Sequence, residues 1–279
     1  MRAVPALLVL ALTGCADEPV PIPPTCNGSV ELCARRFDEV AYPTTHNAMS
    51  NAEDGWESPN QNRNIGHQLE DGVRALMLDV HEWGDGILLC HGFCPLGSLP
   101  LVDGLSIIRD FLHDHRGEVV TIIFESYTTA AAIADAFEKS GLDHYVHAHT
   151  AGTPWPTLRE LIDADERVIV LTDNEGGAYD WYMDVWQQAF ETPFAAETVD
   201  DFTCDPGRGD PTNQLFIFNH FLTAPLAVPD QAPTVNADPF LVDRARDCMA
   251  ARGHLANFVT VDFYDEGDLF DAVRALDGL

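Results

Sequence analysis

Short runs of branched and aromatic residues, each closed by polar residues, recur from about residue 40 to the end of the chain. One run ends at His46. The others are Ala75 to Val80, Ile87 to Cys90, Val119 to Glu125, Arg167 to Thr172, Gln214 to Asn219 and Asn257 to Phe263. Segments with helical periodicity separate them. In GLSIIRDFLHDHRG, for example, Leu105, Ile107, Ile108, Phe111 and Leu112 share one face. That segment closes on His113, His115, Arg116 and Gly117, so its histidines belong to a helix C-terminus, where their charge complements the dipole. Strands alternating with helices predict a parallel sheet covered by helices. Seven runs are one short of a closed barrel. The expectation is therefore a single (β/α)8 TIM-type barrel over residues 26–279, α/β in class, irregular where the eighth strand falls between Asp173 and Pro211.

Strand alternation assigns faces. In ALMLDVH, Ala75, Met77, Asp79 and His81 point one way, and the aliphatic Leu76, Leu78 and Val80 point the other, toward the helices. By the same parity Thr121, Ile123 and Glu125 point inward on their strand, as do Thr260 and Asp262 on the last. The polar strand ends then gather His46, Asp79, His91, Glu125, Asn219 and Asp262 at one mouth, where barrels of this kind place their chemistry.

The length of 279 residues and 46% hydrophobic content suit one such barrel with a full core. The charge restricts the partners. With 45 acidic and 15 basic residues, and Lys139 the one lysine, the chain excludes nucleic acid and tight adsorption to an anionic surface. A lipid substrate would need another route to the membrane. MRAVPALLVLALTGC supplies one, because an apolar run too short to span a bilayer followed by Leu-Thr-Gly-Cys resembles a bacterial lipoprotein signal. That implies cleavage before Cys15 and a lipid on its sulfur, then a proline-rich tether over residues 16–25. An exported protein, secreted or held as a cell-envelope lipoprotein, is expected. Export fits the remaining six cysteines, which locality pairs as Cys26 with Cys33 and Cys90 with Cys94, leaving Cys204 with Cys248. An oxidising compartment favours bridges over a zinc site.

THNAMS, QLEDGVRALMLDVH, LCHG and EVVTIIFE, in this order and spacing, resemble the X domain of phosphatidylinositol-specific phospholipase C. The resemblance is close from Val40 to Tyr127, returns in NQLFIFNHF and NFVTVDFY, and is slight from Thr128 to about Pro211. It implies His46 as general base, His91 as general acid and Asp262 as the carboxylate that orients the base. It also implies calcium at Asn47, Asp79 and Glu125. The chemistry agrees: a phosphodiester cleaved by a neighbouring hydroxyl needs one group to take a proton and another to protonate the departing alkoxide. Inward-facing His81 and strand-end Asn219 are candidate substrate contacts. One departure is Met77, which stands where the calcium-dependent members place a glutamate. If no metal binds, the Asp79–Glu125 pair needs a shared proton or a cation from Arg74 or another arginine.

The expected activity is that of a monomeric phosphodiesterase acting on a phosphoinositide or related glycolipid through a cyclic phosphate. Two rivals stand beside it. One is a glycerophosphodiester phosphodiesterase or sphingomyelinase D-like barrel, which would carry a Glu-x-Asp metal motif that Met77 interrupts. The other is a catalytically silent barrel used for binding. His144, His147 and His149 read as surface or packing residues. In DNEGGAYDWYMD and beyond, Tyr179, Trp181, Tyr182 and Trp186 are expected to pack a helix, and the segment lacks EF-hand spacing.

Overall fold

The computed structural model describes residues 21–224 and 226–279. Residues 1–15 and the start of the tether lie outside the described residues. The strands are β1 (Tyr42–Thr45), β2 (Ala75–Trp83), β3 (Gly86–Leu89), β4 (Leu99–Pro100), β5 (Val120–Tyr127), β6 (Val168–Thr172), β7 (Tyr182–Asp184), β8 (Ala189–Glu191), β9 (Leu215–Asn219) and β10 (Phe258–Val261). The helices are α1 (Ile65–Asp71), α2 (Leu101–Asp114), α3 (Ala130–Ser140), α4 (Leu158–Asp163), α5 (Val185–Gln188), α6 (Ala232–Val235), α7 (Phe240–Arg252) and α8 (Leu269–Leu276).

Eight strands form one curled parallel path, β7-β6-β5-β2-β1-β10-β9-β8. Among the described residues no ladder joins its two ends, so the TIM-type barrel is open between β7 and β8, which α5 connects directly. Both edge strands fall in the stretch where the sequence placed one missing strand. The run Ile87–Cys90 differs from its expected role. It forms β3, which pairs antiparallel with β2 and stands off the barrel path. The reason is local: Gly84 and Asp85 link Trp83 to its partner Gly86, and Gly84 takes a φ of 60°, so the chain reverses in a tight hairpin. Two strands from the gap replace this one and restore the count of eight.

The face assignments hold. Leu76, Leu78 and Val80 pack with Leu105, Ile108, Phe111 and Leu112 of α2 in the layer between sheet and helices. Ala75, Ile123, Ile169, Leu171, Ile217 and Phe258 fill the barrel interior, with Met77 packed against them. Below that interior sits the N-terminal segment closed by Cys26–Cys33. Its Phe37 ring lies 4.9 Å from Tyr42 and 4.8 Å from Trp155, sealing the end of the barrel opposite the mouth.

Helix α2 ends at Asp114 and His115 caps it, its Nδ1 lying 3.0 Å from the Phe111 carbonyl oxygen. His147 meets Glu166 at 2.7 Å, and His149 stacks on Trp155 at 3.6 Å, where burial takes its pKa down to about 4. Both are packing residues. The aromatic segment behaves differently in part. Trp181 packs against Phe137 of α3 as expected, and Tyr182 is buried in β7, but Trp186 turns toward the mouth.

All three disulfides pair as locality suggests: Cys26–Cys33, Cys90–Cys94 and Cys204–Cys248. Thiol titration of protein unfolded without reductant should therefore find none of these six sulfurs reactive. Mild reduction should open the five-residue turn at Cys90–Cys94 and lower activity before the barrel melts. Two or more reactive thiols in the unreduced chain would break this pairing.

Candidate active site

At the end of β1 the chain turns through His46 and Asn47, with Asn47 at a φ of 47°, a left-handed conformation that asparagine accepts more readily than most residues. Register does the rest. Thr45 of β1 lies beside Val261 of β10, so the next residues, His46 and Asp262, meet side by side. His46 Nδ1 lies 2.9 Å from Asp262 Oδ1, and Asn60 donates to the same oxygen at 3.1 Å. Phe221 stacks under the imidazole at 3.8 Å, nearly parallel. With Nδ1–H donating to Asp262, Nε2 is left as the acceptor; it receives the Asn47 amide at 3.1 Å and faces the cavity. Burial works against a protonated His46, but the charge and hydrogen bond of Asp262, with Asp79 and Glu125 beyond, outweigh it and raise the pKa.

Asp79 and Glu125 are register partners on β2 and β5, so parity aims both carboxyls into the mouth. Asp79 is buried, and that burial, with repulsion from Glu125, pushes its pKa up to about 7. The Tyr127 hydroxyl hydrogen-bonds to Glu125, and its ring stacks on His81 at 4.3 Å. Asp173, just beyond β6, accepts the Ser126 N–H at 2.9 Å and is also raised by burial.

His91 reaches this mouth because β3 runs backward. The hairpin returns the chain to the level of Asp79, whose carbonyl accepts the Cys90 N–H at 3.2 Å, and Cys90–Cys94 closes the turn around the histidine. His91 lines the same opening as His46, Asn60, Asp79, His81 and Glu125. Lost solvation, followed by repulsion from His46, lowers its pKa.

The far wall was not foreseen from the sequence. Glu191, at the end of β8 and 1% exposed, accepts from Arg208 Nε at 2.5 Å, from Nη2 at 3.2 Å and from Asn219 Nδ2 at 3.0 Å. The Arg208 guanidinium sits 4.5 Å from the rings of both Trp186 and Phe194. Its loop can lie against β8 because Gly209 has a φ of 81° and no side chain; a Cβ there would fall 2.2 Å from the Ala189 carbonyl oxygen. Arg208 is the arginine at the mouth. Arg74 is not, because it starts β2 at the opposite end and is held by Glu118 at 2.8 Å. Asn219 lines the cavity as the strand ends suggested, and its carboxamide oxygen is buried without a partner among the described residues. The signal for this wall was slight: a Gly-Arg-Gly between two prolines, outside every strand run read from the sequence.

Asn47, Asp79 and Glu125 line one cavity, although among the described residues no three His, Cys, Asp or Glu side chains are grouped to hold an ion. Two repelling carboxyls beside an amide fit a hard cation as part of a shell, with Met77 marking the missing ligand. Exposed Tyr127, Phe194 and Leu226 line the opening, and exposed Phe93, two residues after His91, meets Trp83 edge to face at 5.5 Å.

The curled parallel barrel thus carries a histidine–aspartate pair and a second histidine on one opening. The chain belongs to the PI-PLC X family, whose model (PI-PLC X 1) matches residues 32–277. It is 30% identical to PI-PLC X domain-containing protein 1 of Arthroderma benhamiae, covering 91% of this chain and 90% of that one. It is 29% identical to PI-PLC X domain-containing protein At5g67130 of Arabidopsis thaliana, where it spans 62% of the relative's length. Among solved structures, a phosphatidylinositol-specific phospholipase C from Staphylococcus aureus shares the fold with a TM-score of 0.60 at 13% identity, over 87% of this chain and 93% of that one.

Proposed function

We propose that the chain cleaves a phosphodiester lipid, a phosphoinositide or related glycolipid, by acid–base catalysis through a cyclic phosphate. The observation that carries this is the His46–Asp262 pair at 2.9 Å opening onto the same cavity as His91. His46 Nε2 takes the proton of the headgroup hydroxyl next to the phosphate. That oxygen then bonds to phosphorus, the bond to the glycerol oxygen breaks, and His91 supplies the proton that the departing alkoxide needs. Asp262 holds the His46 tautomer and stabilises the imidazolium as it forms. The apolar rim supports a lipid substrate, since its aromatic and aliphatic side chains can meet acyl chains while the headgroup enters the mouth.

Calcium, where bound, would be held by Asn47, Asp79 and Glu125 and would polarise the phosphoryl oxygens. Its test does not depend on turnover. A carboxyl whose folded pKa is raised favours the protonated fold, so metal-free stability contributed by Asp79 falls as pH rises from about 4 to about 7. Metal-free Asp79→Asn should therefore be more stable than the wild type at pH 8, by up to about 4 kcal/mol, with the gap closing toward pH 4. Calcium should raise the melting temperature of the wild type at pH 8 and leave that of Asp79→Asn nearly unchanged. An equal calcium response in both proteins would remove Asp79 from the ligand set.

Three disulfides support an exported protein, and a relative in Arthroderma benhamiae, 28% identical, is named an uncharacterized secreted protein. Lipidation at Cys15 is the proposed anchor, and Cys15→Ser should move the protein from the membrane fraction to the soluble one. The phosphodiesterase reading is preferred to a silent binding barrel because both histidines and the orienting carboxylate converge. It is preferred to a Glu-x-Asp metal barrel because Met77 packs apolar against the core.

A further inference from the structure

We infer that the seam between β7 and β8 carries a second binding site, back to back with the mouth across α5, whose ligand is a small organic amine presenting a primary ammonium group. Its existence is independent of the phosphodiesterase reading.

Among the described residues the curled sheet stays open at this seam, and α5 is the one turn of helix that crosses it. The residues around that turn divide between two cavities. Val185 and Trp186 line the mouth, whereas Asp184, Gln187 and Gln188 line a separate open cavity of about 420 Å³ beside β7. Among the described residues the two share no lining side chain. The loop after β6 completes the second wall. It lies tight on β7 at Gly176, where a Cβ would fall 2.4 Å from the Asp184 Cα.

Acceptors dominate this lining. Asp180 and Asp184 supply two carboxylates, and among the described residues no Lys or Arg lines the cavity. Two further acceptors are buried without a partner among the described residues: Gln188 Oε1, on a residue 4% exposed, and His149 Nε2. The His149 ring is neutral, because burial takes its pKa down to about 4. Its hydrogen bond to the Thr153 backbone favours the protonated ring and is therefore donated, which leaves Nε2 as the lone-pair nitrogen.

Buried acceptors without donors are costly, and two of them on one cavity point to a ligand that brings the donors. An anion would meet two carboxylates and no cation. A neutral hydroxyl donates once and leaves the carboxylates uncompensated. A hard metal ion takes roughly six to eight oxygens, and among the described residues no three His, Cys, Asp or Glu side chains are grouped to hold one. A primary ammonium brings three donors and a positive charge on one atom, so it answers both deficits.

Three small probes separate charge from donors. Putrescine has both, 1,4-butanediol has donors without charge, and tetramethylammonium has charge without N–H groups. By calorimetry of the intact protein at neutral pH and about 0.15 M salt, where distant charges are screened, putrescine should bind at least about tenfold more tightly than either of the others. Equal affinity for butanediol or for tetramethylammonium would overturn the inference, as would no binding of putrescine.

The acidic surface of the chain also attracts a diamine, so two uncharged substitutions locate the site. Gln188→Leu removes one buried acceptor at nearly constant volume. His149→Phe removes the other and keeps a ring on Trp155. Each should weaken putrescine binding about tenfold while the net charge stays the same. An unchanged affinity in either folded variant would assign the binding to the general acidic surface and overturn the inference. Should one variant not fold, the other decides. None of these measurements reads turnover, so their outcome and that of the phosphodiesterase reading are distinguishable.

Discussion

Replacing His46 or His91 by alanine is expected to lower turnover by about 10²- to 10⁴-fold each, the range that general acid–base groups contribute. The two losses have different structural costs. Removing His46 leaves the buried Asp262 with Asn60 as its remaining side-chain partner and exposes one face of Phe221, so a lower melting temperature should accompany the lost activity. His91 is exposed at the rim, and its removal should leave the melting temperature near that of the wild type. Circular dichroism and thermal melting beside the kinetics separate the two effects. Near-wild-type turnover in either folded variant would remove that histidine from the mechanism.

Asp262→Asn is expected to cost about 10²-fold or more in turnover, and its effect on pH dependence is the more diagnostic part. Burial alone would depress the His46 pKa; the carboxylate of Asp262 is the largest influence that raises it. An amide keeps the shape and loses the charge, so the His46 pKa falls. The base must be neutral and the acid protonated, and the pKa of His46 is raised while lost solvation and His46 lower that of His91. As a result kcat/KM falls on its basic side at the His46 pKa and on its acid side at the His91 pKa. The basic limb should therefore move to lower pH in the variant. An unchanged basic limb in Asp262→Asn would show that His46 is not the base.

Much of the mouth could be read from the sequence because parity along a strand is strict. Once Leu76, Leu78 and Val80 are assigned to the helices, Asp79 must face inward, and its register partner Glu125 with it. His46 and Asp262 follow in the same way from the ends of β1 and β10. The hairpin at Gly84 and Asp85 was present as a turn signal, yet the apolar run Ile87–Leu89 resembles a barrel strand when judged by composition. Strands β7 and β8 have three residues each, too few for a period of two to emerge. Glu191 and Arg208 meet over a sequence separation of 17, and Asn60 reaches Asp262 over one of 202. Such contacts depend on packing that no local pattern encodes.

Phosphorus NMR of the products from phosphatidylinositol tests the central claim most directly. With calcium present, the wild-type protein should yield a five-membered cyclic phosphate signal that appears as the substrate signal declines, and His46→Ala should yield almost none. Phosphocholine from a choline lipid in place of that signal, or an unchanged substrate spectrum from folded protein supplied with calcium, would contradict it.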